Sequence, residues 1–254
     1  MKNTHAIVRL PGKSIISGLS SPGKTIPVYE KTLEQHHQYV AALEKCGLSV
    51  QSLEAIEAFP DSTFIEDVAV LSPHCAVLTA PGAVSRRDEV VTIRQTLEQH
   101  SLQIEKIEAP GTIEGGDIMQ IGSHYYIGLS NRTNHSGAQQ LIDILKKYGM
   151  TGSTVPVKNF LHLKTGVTWI GGNLLIAANG AISHREFRNF EIISVPVDEL
   201  EAANCIAINN KIMMPAGFPQ TRKLLDRVGS EIIEIDISEF AKIDGGLTCL
   251  SLRF

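Results

Sequence analysis

The chain has 254 residues, 43% of them apolar and 20% charged, with a formal net charge of −4. That is enough for one large core, and the composition is ordinary for a globular fold. The acidic balance and scattered aromatics supply neither a phosphate-binding field nor a base-stacking platform, which excludes nucleic acid as a partner. No apolar run approaches a membrane span, and "MKNTHAIVRLPGKS" lacks the apolar core of a signal peptide. A single domain over 1–254, outside the membrane and in the cytoplasm, is expected.

In chain order, "THAIVRL" begins as an apolar strand. Residues 32–46 follow as a helix with Leu33, Val40 and Leu43 on one face, stopped by Gly47. A short strand, "SVQSLEAI", comes next. "TFIEDVAVLSPHCAVLTAPG" then has a polar lead-in, an apolar strand, a tight turn and a second strand. "SRRDEVVTIRQTLEQH" predicts a helix with Ser85 as N-cap, Asp88 in the first turn and Val90, Ile93 and Leu97 inward. "LQIEKIEAP" is another short strand.

The plan then recurs. "GTIEGGDIMQIGSHYYIGLS" is a second hairpin. Behind it come the helix "NHSGAQQLIDILKKYG", with Ala138, Leu141, Ile142 and Leu145 inward, and the strand "STVPV". "LHLKTGVTWIGGNLLIAANG" is a third hairpin, followed by the weakly patterned "SHREFRNF" and the strand "NFEIISVP". "AANCIAINNKIMMPAG" is a fourth, with the shorter helix "FPQTRKLLDRVG" and the strand "SEIIEIDI". The turns "SPH", "IGSH", "IGGN" and "INNK" supply the Gly, Asn and Pro that hairpins require. "IDGGLTCLSLRF" begins a fifth copy and stops.

Self-similarity at this spacing predicts repeated blades. The expected fold is α/β: a five-bladed α/β propeller with pseudo-fivefold symmetry. Its ring is closed by pairing the N- and C-terminal strands, which removes two exposed edges. An open α/β sheet is the alternative, but parallel strands need crossovers and the tight turns favour blades.

Equivalent positions of similar blades meet at the centre. The polar lead-ins carry Glu66 and Asp67, Glu114 and Asp117, His162, Asn204 and Cys249. Each has a bland reading alone. A lone cysteine is usually a buried structural thiol, a histidine between two leucines a core residue, "EGGD" a turn and Glu66-Asp67 a solvated loop. Together they supply a thiol, an imidazole and carboxylates, the set needed for covalent catalysis. Cys205 reads as a strand-core thiol, Cys75 as the start of an outgoing strand and Cys46 as a helix end. With no CxxC pair, four free thiols suit a reducing compartment. Adjacent His36 and His37 point to different helix faces and suggest packing, not a metal site.

"FIED", "EGGD", "HLKTG" and "DGGLTCLS", in this order, resemble the dimethylarginine dimethylaminohydrolases of the guanidine-modifying superfamily of five-bladed α/β propellers. The likeness also covers "PDSTFIEDVAVL", "PGAVSRRDE", "GLSNRTN", "AANCI" and "MMPAG". The resemblance implies that Cys249 is the nucleophile, His162 the general acid/base and Glu114 the group that orients it. It implies Asp67, with Glu66 beside it, at the guanidinium. Arg86 and Arg132 fall at the amino-acid end, Asp61 and the backbone near Ile243 at the α-amino group, Phe64 in the pocket wall and Leu19 in a covering loop. It also implies hydrolysis of methylated arginines to citrulline with no cofactor and no metal, and it allows a homodimer.

The chemistry of such a substrate asks for carboxylates at one end and an arginine fork at the other. Arginine deiminases typically carry Asp two residues after the catalytic histidine, where this chain has Lys164. A carboxylate facing a methylated nitrogen would lose its donors, at a cost of about 1–3 kcal/mol. Lys164 therefore favours a methylated substrate. A deiminase-like hydrolase and a non-catalytic propeller are the alternatives.

Overall fold

A computed structural model describes residues 3–100, 103–181 and 185–254. Leu102 of "LQIEKIEAP" and Ser183-His184 of "SHREFRNF" lie outside these residues. Strand β1 (His5–Arg9) leads through α1 (Tyr29–Lys45) to β2 (Ser49–Leu53). The hairpin β3 (Ala69–Leu71) and β4 (Cys75–Leu78) leads through α2 (Val91–Gln99) to β5 (Gln103–Lys106). β6 (Ile118–Ile121) and β7 (His124–Leu129) lead through α3 (His135–Lys147) to β8 (Thr151–Pro156). The helical turn α4 (Leu163–Gly166) precedes β9 (Val167–Gly171), β10 (Leu174–Ala178) and β11 (Glu191–Val195). β12 (Ile206–Ile208) and β13 (Lys211–Pro215) lead through α5 (Pro219–Leu225) to β14 (Glu231–Ile235), and α6 (Ser238–Ala241) precedes β15 (Leu252–Arg253).

These strands make five sheets of three strands each. In four of them the middle strand is antiparallel to the strand before it and parallel to the strand after it. The parallel step uses the helix as its crossover, except between β10 and β11, where the described part of the connection, 185–190, is irregular. In the remaining sheet β1 is parallel to β2 and antiparallel to β15, with Ala6 opposite Arg253 and Ile7 opposite Leu252. The first and last strands therefore complete one sheet, as their sequences predicted.

Turn chemistry fixes the hairpins. Asn209 and Asn210 both take positive φ, 47° and 66°, as a two-residue type I′ turn requires. The middle strands are the core: every residue of β4 is buried, and only the first residue of β10 and of β13 is not. The third strands β2 and β5 are partly open along their length. Among the described residues no helix is long and apolar enough to cross a membrane.

Two helix expectations need correction. The buried face of α1 is Thr32, Gln35, His36, Tyr39, Ala42 and Leu43; Leu33 and Val40 are only half-buried. Polar side chains bury there because partners await them. Tyr39 Oη donates to the Leu247 carbonyl at 3.0 Å, and Gln35 bridges Ser238 and the Glu239 N–H. In the second helix Ser85 does not cap. A 3₁₀ segment, Val84–Val90, intervenes, and α2 begins after Val90. Asn134 is the side-chain cap of α3, accepting from Gly137 N–H at 2.8 Å.

His36 is wholly buried, and neither ring nitrogen has a well-formed partner among the described residues. Burial, with His37 adding and the Arg9 backbone opposing, lowers its pKa to about 4. The folded state thus resists protonation that the unfolded state accepts near its ordinary 6.5. Stability should be complete above that value and fall as pH drops toward 4, by about 3 kcal/mol for a shift of this size. Chemical denaturation across that window checks this, and His36→Gln should flatten the curve.

Candidate active site

A short helical segment leads into each inner strand: Ile65–Val68, Gly115–Asp117, Leu163–Gly166, Val197–Ala203 (kinked at Glu199) and Leu247–Leu250. The first packs against the second and the fifth, the second against the third and the third against the fourth. Side chains from or beside these turns meet around a cavity of about 320 Å³ that includes Asp67, Glu114, His162 and Cys249. Sequence positions 67 to 249 are thus joined by the repeat, as the lead-in pattern predicted.

The two glycines of "EGGD" permit this convergence. A Cβ on Gly115 would lie 1.9 Å from the Glu66 carbonyl oxygen, and one on Gly116 would lie 2.5 Å from His162 Nδ1. Asp117 does not reach the cavity. Its carboxylate accepts the Leu163 N–H at 2.9 Å and the Ser130 hydroxyl at 2.6 Å, fixing the turn after His162.

His162 is 4% exposed and its Nε2 meets Glu114 Oε2 at 2.7 Å. Burial opposes the imidazolium, but the Asp67 charge and the Glu114 bond outweigh it and raise the pKa to about 9. At neutral pH Nε2 therefore donates to Glu114. Glu114 Oε1 accepts the Ala83 N–H at 3.0 Å and Arg132 Nη1 at 3.3 Å. Burial works against the Glu114 carboxylate, yet the His162 bond holds its pKa below the ordinary range.

Asp67 is held from two sides: Oδ1 accepts the Gly116 N–H at 2.8 Å and Oδ2 accepts Arg86 Nη1 at 2.6 Å. Burial again opposes its charge, but His162 and Arg86 prevail and keep it ionised. Cys249 sits in the last turn, where the Gly246 N–H approaches Sγ at 3.4 Å. Burial and then the Asp67 and Glu66 charges push the thiol up to about 12; the Gly246 N–H and Lys164 offset this only in part.

Asp67, Glu114 and His162 each offer a donor atom within 4.8 Å of the others. Arg86 already neutralises Asp67, and His162 already serves Glu114, so the group is internally balanced.

The remaining predicted residues divide. Phe64 lines the cavity and meets Phe240 edge-on at 6.2 Å. Asp61 and Ile243 are buried in its wall. Asp61 has a raised pKa from burial, offset by Arg86, and it accepts the Leu19 N–H at 2.9 Å. Arg132 lines the cavity with its side chain 21% exposed and, among the described residues, one side-chain partner, Glu114. Arg86 is buried in the wall while Arg87 is exposed, which separates the two neighbours. The Arg86 guanidinium is nonetheless committed to Asp67, Glu89 and the carbonyls of Asp61 and Phe64. Its visible task is to hold Asp67.

Glu66 sits beside Asp67, close enough for its charge to act on Cys249, and it has partners of its own. Its Oε1 accepts Lys164 Nζ at 2.5 Å and Arg253 Nη2 at 3.2 Å, and it lines a separate cavity of about 520 Å³. Consecutive residues of a 3₁₀ turn point about 120° apart, so Asp67 and Glu66 face different spaces. Lys164, the position that favoured a methylated substrate, turns its ammonium to Glu66 and likewise lines the second cavity.

The sequence did not reveal how the 19–24 segment is anchored. Ser21 donates through N–H and Oγ to Asp244 Oδ2 at 2.6 and 2.9 Å, and Lys24 reaches Asp244 Oδ1 at 2.7 Å. Asp244 takes φ of 60°, a region asparagine and aspartate tolerate. An aspartate before two glycines was the one signal available.

A family model described as "N,N dimethylarginine dimethylhydrolase, eukaryotic" matches residues 24–251. The chain is 48% identical over 251 residues to N(G),N(G)-dimethylarginine dimethylaminohydrolase of Pseudomonas aeruginosa, covering 98% of this chain and 99% of that protein. A solved structure of DDAH from Pseudomonas aeruginosa, a C249S mutant complexed with citrulline, superposes with a TM-score of 0.98 at 47% identity, covering both chains completely. A dimethylarginine dimethylaminohydrolase H162G adduct with S-methyl-L-thiocitrulline superposes with a TM-score of 0.97 at 47% identity, over 99% of this chain and 100% of that one. With a family match across most of its length, near-identical backbones and the expected motifs around one cavity, the chain belongs to the dimethylarginine dimethylaminohydrolase family.

Proposed function

We propose that this chain hydrolyses Nω-methylated arginines to citrulline and dimethylamine or methylamine through a covalent intermediate on Cys249. One observation carries this: a thiol, a carboxylate-paired imidazolium, an ionised Asp67 and the lightly committed Arg132 share one cavity. Family membership supports the substrate class.

The substrate is a cation at one end and an amino acid at the other. Asp67 suits the guanidinium, and Arg132 suits the α-carboxylate. Asp61 and the backbone near Ile243 suit the α-amino group, with Phe64 along the chain and Leu19 above. The Cys249 thiolate attacks the guanidinium carbon. The C–N bond to the methylated nitrogen breaks, and His162, protonated at neutral pH, gives its proton to the departing amine. A cationic thiouronium remains on Sγ. His162, now neutral, takes a proton from water as its oxygen attacks the same carbon. The C–S bond then breaks, its electron pair returns to Sγ as the thiolate, and the oxygen sheds its second proton to the released amine or solvent to become the urea oxygen of citrulline. Glu114 steadies the imidazolium in both halves. No step requires a metal or an organic cofactor.

We infer further that the five sheets are blades of a pseudo-fivefold propeller closed by β1 and β15, which puts the five leading turns on one axis. Four free thiols suit a cytoplasmic setting, and a homodimer is compatible with the family.

The assay that tests the activity follows citrulline, dimethylamine and ammonia from asymmetric dimethylarginine and, separately, arginine. Citrulline with dimethylamine, and little ammonia from arginine, is the expected result. Dominant ammonia release from arginine would identify a deiminase instead. Arg132→Ala should raise KM about 10- to 100-fold, since a charge-assisted bond is worth about 1.5–3 kcal/mol. Steady-state kinetics on both proteins measures it.

A further inference from the structure

Asn204 ends the fourth leading turn and takes no part in the chemistry above. It is 5% exposed. Its Oδ1 accepts the Thr248 N–H at 3.0 Å, while its Nδ2 donates to the Lys164 carbonyl at 2.7 Å and to Thr248 Oγ1 at 3.1 Å. Thr248 immediately precedes Cys249, and Lys164 lies two residues after His162. One planar amide therefore ties the turn that presents the nucleophile to the turn that follows the acid/base.

We propose that Asn204 is a positioning residue that sets the approach of Cys249 to His162. The chemistry of the side chain matches the task. The link needs an acceptor and two donors at fixed spacing on a short stem. Aspartate lacks the donors and alanine lacks both. The local backbone is shaped to it as well: a Cβ on Gly246 would lie 2.5 Å from Asn204 Oδ1. The second glycine of "DGG" thus makes room for this amide, and the first makes room for Phe64, whose ring would lie 2.3 Å from a Gly245 Cβ. Arg132, Asp61 and Leu19, which suit the substrate's amino-acid end, are not bonded to Asn204.

This inference rests on the covalent role of Cys249, which the wild-type assay tests separately. Misplacing reacting groups by about 1 Å can cost roughly a hundredfold in rate. Asn204→Ala should lower kcat by roughly that factor with KM changed less than about threefold. The second readout is alkylation of Cys249 by iodoacetamide across pH, because this neutral reagent does not use the guanidinium site. Its pH profile should move with the loss of kcat. Asn204→Ser, small and uncharged, should fold if the alanine variant does not, and it too cannot span both turns. A folded Asn204→Ala or Asn204→Ser protein with kcat within twofold of wild type overturns the proposal. So does a kcat loss in which the alkylation profile stays put and only thermal stability falls. If the wild-type protein releases no citrulline, the covalent reading fails first.

Discussion

Cys249→Ser should abolish turnover of asymmetric dimethylarginine, with kcat/KM reduced at least about a thousandfold, as for other nucleophile replacements. The surroundings of Sγ make this loss severe. Burial and the Asp67 and Glu66 charges already push a thiol up to about 12. A hydroxyl, several units less acidic in water, would face the same penalties and hold essentially no alkoxide. His162 offers no rescue, because at neutral pH it is already protonated and bonded to Glu114. The binding groups are unaffected, so citrulline should still bind with affinity close to wild type. The check is paired: product formation in one experiment, and labelling by an electrophilic amidine followed by intact-protein mass in another. Labelling that persists in the serine variant would move the nucleophile elsewhere. The described alternatives are poor: Cys46, Cys75 and Cys205 are buried, and burial raises the pKa of all three.

The repeat was legible in the sequence because turn chemistry is local. "IGSH" and "INNK" carry residues that accept positive φ, and Gly122, Asn209 and Asn210 take it. The short third strand was legible as an apolar run after a helix-length gap, while its parallel pairing is seen only in the structure. What failed was the inference of a buried face from apolar residues alone. Thr32, Gln35 and Tyr39 are buried on α1 because their partners come from residues about 200 positions away or from the helix itself. No window on α1 contains that information. The capping error at Ser85 has a similar source: Arg86 and Glu89 are drawn inward, and a 3₁₀ segment brings Arg86 to Asp67 and the Asp61 carbonyl with Glu89 as its second carboxylate partner.

The site was legible where the repeat carried it. Asp67, Glu114, His162 and Cys249 occupy corresponding turns and line one cavity. The pairing of Glu66 was not legible, because adjacency along a 3₁₀ turn says little about direction and its partners Lys164 and Arg253 lie in other units. Asn204 stood at a matching lead-in, yet its value lies in three bonds to two distant turns, which no spacing reveals. Asp117 resolves the same way. It sits beside the chemistry but spends its oxygens on Leu163 and Ser130.

Binding a guanidinium should acidify the Cys249 thiol by about three units. In the free protein His162 titrates at about 9 and Cys249 at about 12, so neutral solution holds a thiol beside an imidazolium. His162 is then correctly protonated for the leaving amine but cannot accept the thiol proton. Something must stabilise the anion, and the cavity itself is acidic. The substrate brings a planar cation to Asp67, whose negative charge helps to push the thiol up. A unit charge at about 4 Å, with an effective dielectric near 20, is worth about 4 kcal/mol, or three pKa units. That brings the thiol to about 9, where attack no longer starts from a vanishing thiolate population. The same cation weakens the imidazolium, so the activity profile should decline on the alkaline side as His162 loses its proton. Thiolate absorbance, titrated with and without a saturating unreactive guanidinium, measures the shift directly. A fall of two units or more makes the substrate its own activator. A thiol that titrates unchanged would leave the anion to the protein's own groups, the Gly246 N–H, Lys164 and the nearby imidazolium, and His162→Asn should then raise the thiol pKa further.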